Sequence, residues 1–211
     1  MILHFEKRWR RSLSHSVEHV NVLLFKNFTT LDALGPAEVL SKAKCNYHLA
    51  YYSIDGGLIE SSTGAIISTQ KMDEILPNGI LIVPGGQGTR ELVNHDIFIE
   101  HLKLLSDDAK KVLSICTGSA LLAKSGALNQ IQATSNKRAW NWVISQSINV
   151  KWIRNARWVV DGKYYTSSGI TAGIDMAIGY IEDCFGYEEA RRISDILEYT
   201  WNRDKDIDPF S

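Results

Sequence analysis

The sequence predicts an α/β fold, a three-layer sandwich built on a mainly parallel central sheet, and three observations predict it. Short runs of branched apolar residues recur along the chain, separated by segments of helical period. The runs lack polar alternation, as expected of strands buried on both faces of a parallel sheet. Turn residues mark their carboxyl ends, most sharply at Pro84-Gly85-Gly86. Strands alternating with helices require right-handed crossovers, which cover both faces of the sheet.

In chain order, residues 20–25 (VNVLLF) form the first buried strand, bounded by Lys26 and Asn27. A helix follows through TTLDALGPAEVLSKA, with Pro36 suited to its first turn because proline needs no amide partner there. Residues 47–55 read as a second strand ending at Gly56-Gly57, and 61–70 as a hairpin-like excursion of short strands. GILIVPGG (79–86) is the next strong strand. Leu92, Phe98, Leu102 and Leu105 give 91–109 the spacing of one helix.

Residues 111–116 are a strand that hands over directly to a helix ending at Gly126. NVKWI and RWVVDGKYYTSS read as strands, with Asp161-Gly162 as the turn in the second. TAGIDMAIGYIEDCFG and EEARRISDILEYTW are two long helical patterns, and Cys184 in the first reads as core. Trp140, Trp142, Trp152 and Trp158 read as core or interface packing, and RDKDIDPF as a solvated tail. No repeat or linker interrupts the pattern, so 20–211 reads as one domain preceded by an extension, 1–19, that is basic around Arg8, Arg10 and Arg11.

Composition narrows the function classes. The 211 residues are 45% hydrophobic and 22% charged, enough for one sizeable core. A net charge of −1 gives no reason to expect nucleic acid or an anionic membrane as partner, whereas a small-molecule substrate fits. Three cysteines without a CxxC pair fit neither a disulfide framework nor a zinc site, so no metal or cofactor is expected and the expected compartment is the reducing cytoplasm. No apolar run approaches the roughly 20 residues that span a bilayer.

Cys116 is the residue best placed for chemistry. It ends a predicted strand and precedes a helix opened by Thr117-Gly118-Ser119. A sulfur there meets unsatisfied helix amides and the positive end of the macrodipole, both of which favour thiolate. The alternative is an inert buried cysteine. The Pro84-Gly85-Gly86 turn also lies at a strand's carboxyl end, where open α/β sheets bind ligands.

LDALGPAEVL, PGGQG, SICTGSALLAKSGAL, ATSN and SSGITAGIDMAI occur in this order between about 20 and 210. Together they resemble the DJ-1/PfpI (ThiJ) superfamily, most of all its isocyanide (isonitrile) hydratase branch and the sensor domains of AraC-type regulators. The resemblance implies a class I glutamine amidotransferase-like, flavodoxin-like sheet, a homodimer, and Cys116 as nucleophile. It places the Gly86 and Thr117 amides in an oxyanion-type pocket, with Gly85 beside them. Asp32 becomes the acid that assists proton transfer; its other reading is a helix cap or Asx-turn. Glu38 either faces the pocket or favours the helix dipole. The Thr117 hydroxyl is expected on substrate or sulfur, and Ile170 in the pocket lining.

One departure bears on mechanism. Many members of the superfamily carry histidine at the position of Asn136, and the hydratases tend to have tryptophan at that of Lys137. All six histidines precede Cys116. Asn136 cannot act as a base at neutral pH, so proton transfer falls to Asp32, Glu38 or water. That favours addition to a small electrophilic carbon, as in isocyanide hydration. An amidase, protease-like, glyoxalase or deglycase activity is the second reading. The third is a non-catalytic small-molecule or redox sensor, expected without a helix-turn-helix domain because the sequence ends at Ser211.

Overall fold

The computed structural model describes residues 17–211. Most of the expected N-terminal extension, 1–16, lies outside the described residues.

The strands are β1 (Glu18–Leu23), β2 (Tyr47–Ser53), β3 (Gly57–Glu60), β4 (Ile66–Lys71), β5 (Ile80–Val83), β6 (Lys111–Ser114), β7 (Gln132–Ala133), β8 (Lys151–Trp152), β9 (Trp158–Asp161) and β10 (Tyr164–Ser167). The helices are α1 (Thr30–Ser41), α2 (Thr89–Leu92), α3 (Asp96–Asp108), α4 (Gly118–Lys124), α5 (Trp140–Ile144), α6 (Ala172–Phe185) and α7 (Tyr187–Ile196). Eight strands form one sheet in the order β3-β4-β2-β1-β5-β6-β10-β9, and β7 pairs with β8 apart from it. Pairing is parallel from β4 through β10 and antiparallel only at the edges, β3 with β4 and β9 with β10.

The sequence gradient explains this order. Central β5 is buried at every position, so its apolar run needs no alternation, and β10 (Tyr164–Ser167) is buried throughout although half its residues are polar. Edge strand β3 and its neighbour β4 are largely exposed, and β4 runs into polar residues from Ser68 to Lys71. Helices α1, α6 and α7 pack on one another, and α2, α3, α4 and α5 form a second group. The sheet lies between these layers. Burying a side chain such as Ile82 contributes roughly 1.5–3 kcal/mol, and the core holds many of that kind.

Several expectations need correction. β1 starts at Glu18, two residues before the expected boundary. Pro36 is not in the first turn of its helix: α1 begins six residues earlier at Thr30, placing Pro36 inside it. The single helix expected over 91–109 is two, because the His95 ring caps α3 by accepting the Phe98 N–H at Nδ1 (3.1 Å). The last helix stops at Ile196, shortly before Glu198 takes a left-handed φ of 48°. Cys184, near the end of α6, is exposed rather than core. In the expected solvated tail Asp208 is buried, within ion-pair reach of Lys137 (3.7 Å) and Arg157 (4.0 Å).

Candidate active site

The site forms where β5 and β6, paired in parallel, end side by side. Beyond β6 the chain turns through Cys116, whose φ of 56° lies in the left-handed region that non-glycine residues seldom occupy. Neighbouring segments hold it there. The Cys116 amide donates to Ser168 O at 2.9 Å, and its carbonyl accepts the Ser135 hydroxyl (2.8 Å) and the Ser119 hydroxyl (3.2 Å). α4 then starts at Gly118.

The turn after β5 packs against this elbow. A β-carbon on Gly85 would lie 2.5 Å from Thr117 N and 2.9 Å from the Cys116 β-carbon, so glycine is required by close approach. The turn's amides are already paired. Gly85 donates to Asp32 Oδ2 at 3.0 Å, and Gly86 donates to Thr117 Oγ1 at 3.0 Å. Thr89 adds its hydroxyl to Thr117 Oγ1 at 3.2 Å. The expected oxyanion pocket of Gly86 and Thr117 amides is therefore not open as drawn from sequence, because the threonine's own hydroxyl occupies the Gly86 N–H.

Asp32 sits in the first turn of α1 with no exposure. Its Oδ1 makes no conventional hydrogen bond among the described residues. Burial pushes its carboxyl up to about 7, against the opposing pull of the Gly85 amide and the Cys116 thiol. The carboxyl is thus neither a helix cap nor a solvated acid; it lies against the sulfur.

Cys116 is only 7% exposed. Burial, then the Asp32 charge, pushes its thiol up to about 12. The Thr117 amide and hydroxyl and the Asn136 side chain pull the other way and lose. This corrects the expectation of an acidified thiol: helix amides do reach the sulfur, but desolvation beside a carboxylate outweighs them.

Asn136 has a fixed orientation. Its Oδ1 accepts the Ala139 N–H at 2.9 Å, which leaves Nδ2 to donate to the sulfur. Ile170, 40% exposed, lines a cavity of about 440 Å3 together with Asn136, Ser168, Gly169 and Phe210. Cys116 does not line that cavity, whereas Asn136 both lines it and hydrogen-bonds the thiol. Glu38 is the misplaced candidate. Six residues after Asp32 is about 240° further round a helix, and there it pairs with Lys42 at 2.7 Å on the exposed face.

Sequence reasoning missed Ser135, Ser168, Thr89 and Arg90. Arg90 lies close enough for the Cys116 charge to act on it, and its guanidinium covers the Trp142 ring at 3.3 Å. Position in PGGQGTR, just after the turn, was the available signal. Among the described residues no group of histidine, cysteine, aspartate and glutamate is arranged to hold a metal. No described helix is long and apolar enough to cross a membrane.

Comparison with known proteins places the fold and the family. The chain is 31% identical over 183 residues to an isonitrile hydratase of Pseudomonas putida, covering 85% of this chain and 78% of that one. It is 26% identical to the HTH-type transcriptional regulator CdhR of Pseudomonas aeruginosa, over 82% of this chain but only 52% of the regulator. The fold superposes on a ThiJ/PfpI family protein of Pseudomonas syringae with a TM-score of 0.79, at 22% identity, covering 88% of this chain and 76% of that one. It superposes on oxidized Toxoplasma gondii DJ-1 with a TM-score of 0.71, at 20% identity, covering 88% of this chain and all of that one. The sequence matches the DJ-1/PfpI family over residues 18–183, more than half its length, and the chain belongs to that family.

Proposed function

We propose that this protein is a cysteine-dependent enzyme that adds water to a small electrophilic carbon, with an isonitrile as substrate. The observation that carries the reading is the pairing of a fully buried Asp32 carboxyl with the thiol of Cys116 on a left-handed elbow. The 31% identity to an isonitrile hydratase supports it.

The thiol is the weaker acid of the pair, so proton transfer to Asp32 is uphill until sulfur bonds to carbon. Sulfur attacks the terminal carbon of R–N≡C as Asp32 takes the thiol proton. Asp32 then delivers that proton to the same carbon, giving the thioimidate R–N=CH–S–Cys. Water adds to this carbon with proton transfer to nitrogen. The C–S bond breaks, the sulfur regains a proton, and R–NH–CHO leaves. Asn136 Nδ2 and the Thr117 amide stabilise charge on sulfur during attack and departure. A carboxyl near 7 can serve as base in one step and acid in the next.

The sensor reading is less well supported, because a thiol held protonated by burial is a poor target for peroxide. The homodimer implied by the resemblance belongs to the same proposal and is checked by sedimentation equilibrium. The function is tested by incubating the protein with a simple alkyl or aryl isonitrile and measuring N-substituted formamide. Formamide that forms with wild type and stops in Cys116→Ala supports the reading. Equal yield from both proteins contradicts it.

A further inference from the structure

Next to the Ile170 cavity, and sharing Lys137 and Arg138 with it, lies a second cleft of about 350 Å3. Arg90, Lys137, Arg138 and Arg154 line it with Trp140 and Trp142, and no carboxylate does. Among the described residues none of the three arginines pairs with an acid. Indole rings hold three of the four cations instead. Arg90 stacks over Trp142 at 3.3 Å, and Lys137 and Arg154 approach Trp140 at 5.2 and 5.5 Å. Among the described residues the Arg90 guanidinium makes one side-chain hydrogen bond, a long one to Thr89 Oγ1 (3.4 Å), which leaves most of its donors available there.

Like charges at such spacing repel unless something negative joins them, and Lys137 and Arg154 do oppose each other. Lys137 has one nearby acid, Asp208 at 3.7 Å, and its Nζ donates to Thr134 Oγ1 and to the Ser135 and Ala156 carbonyls. It therefore contributes field more than contact, while the three arginines, without acid partners among the described residues, keep donors for a ligand. A chain of net charge −1 has no general excess of cations, so this concentration is local. The cleft's volume suits a small molecule.

We propose that the cleft is an anion-binding subsite that takes the carboxylate or phosphate group of a small molecule, held by Arg90, Arg138 and Arg154. Its occupant is the substrate of Cys116 only if the function proposed above holds; affinity for an anion stands without it. Arg90 links the two places, since it lines the cleft, bonds Thr89 and feels the Cys116 charge.

Trp140 and Trp142 report occupancy by fluorescence. The experiment titrates the full chain with sodium phosphate and with sodium acetate, against sodium chloride at constant ionic strength. Saturable change with phosphate assigns a phosphate group, and saturable change with acetate a carboxylate; either supports the subsite. Arg90→Gln and Arg154→Gln should each weaken it about tenfold, the scale of one lost charge-assisted contact. A response no different from chloride, or affinity unchanged in both variants, overturns the proposal. Formamide production and anion binding are read separately, so failure of one leaves the other standing.

Discussion

Asp32 accepts the backbone N–H of Gly85 at 3.0 Å, which ties the first turn of α1 to the turn after β5 directly beside Cys116. The bond orients the carboxyl without solvating it. A group held this way keeps its proton to about pH 7, far above an ordinary aspartate.

Asp32 therefore makes stability fall as pH rises. Its folded pKa is raised, so the folded state binds the proton more tightly than the unfolded chain. The contribution is complete below about pH 4, the unfolded value, and is lost as pH climbs through about 7. Compared with Asp32→Asn, wild type should lose about 4 kcal/mol of unfolding free energy across that window. Urea unfolding of both proteins at pH 4, 5.5 and 8 measures it; a constant difference contradicts the buried-carboxyl account.

Gly85→Ala should disturb the site more than the fold. The added methyl would meet the Thr117 backbone at 2.5 Å, and neither segment can retreat without moving the elbow. A loss of about 1–3 kcal/mol is expected, with formamide production falling much further. The check is a urea midpoint beside a turnover assay on the same preparation.

The buried Arg157–Asp175 pair, whose arginine also lines the Ile170 cavity, should be a sensitive polar contact. Arg157 Nε donates to Asp175 Oδ2 at 2.8 Å, with both side chains nearly inaccessible. Asp175 also accepts the Asn202 N–H (2.9 Å), pinning the segment after α7. Asp175→Ala leaves the buried Arg157 with Asp208, at 4.0 Å, as its remaining counter-charge and without its close hydrogen-bonded one, and about 3–5 kcal/mol of stability should go. Differential scanning calorimetry reads this as a large drop in Tm.

The central sheet was legible because β1 and β5 fall in short apolar runs, β6 leads into the Cys116 elbow, and the Asp161-Gly162 turn marks β9 and β10. The turns at 84–86 and 116 were legible because glycine and strand-end position mark them. What was not legible depended on contacts distant in sequence. His95 breaks a continuous helical pattern through its ring, which no periodicity records. Pro36 is tolerated inside α1, so it did not mark the start. The protonation of Cys116 was misjudged because a helix N-terminus is visible in sequence, whereas the buried carboxylate beside it, 84 positions earlier, acts only through the fold.

The coupling of Cys116 to Asp32 is tested most directly by the thiol's own titration. Alkylation would be followed against pH by mass spectrometry of the Cys116 peptide, which separates it from Cys45 and Cys184. Wild type should titrate well above the roughly 8.5 of free cysteine, and Asp32→Asn should bring the value down by removing the neighbouring charge. A wild-type thiol that titrates at or below 8.5, or one indifferent to Asp32→Asn, would contradict the account.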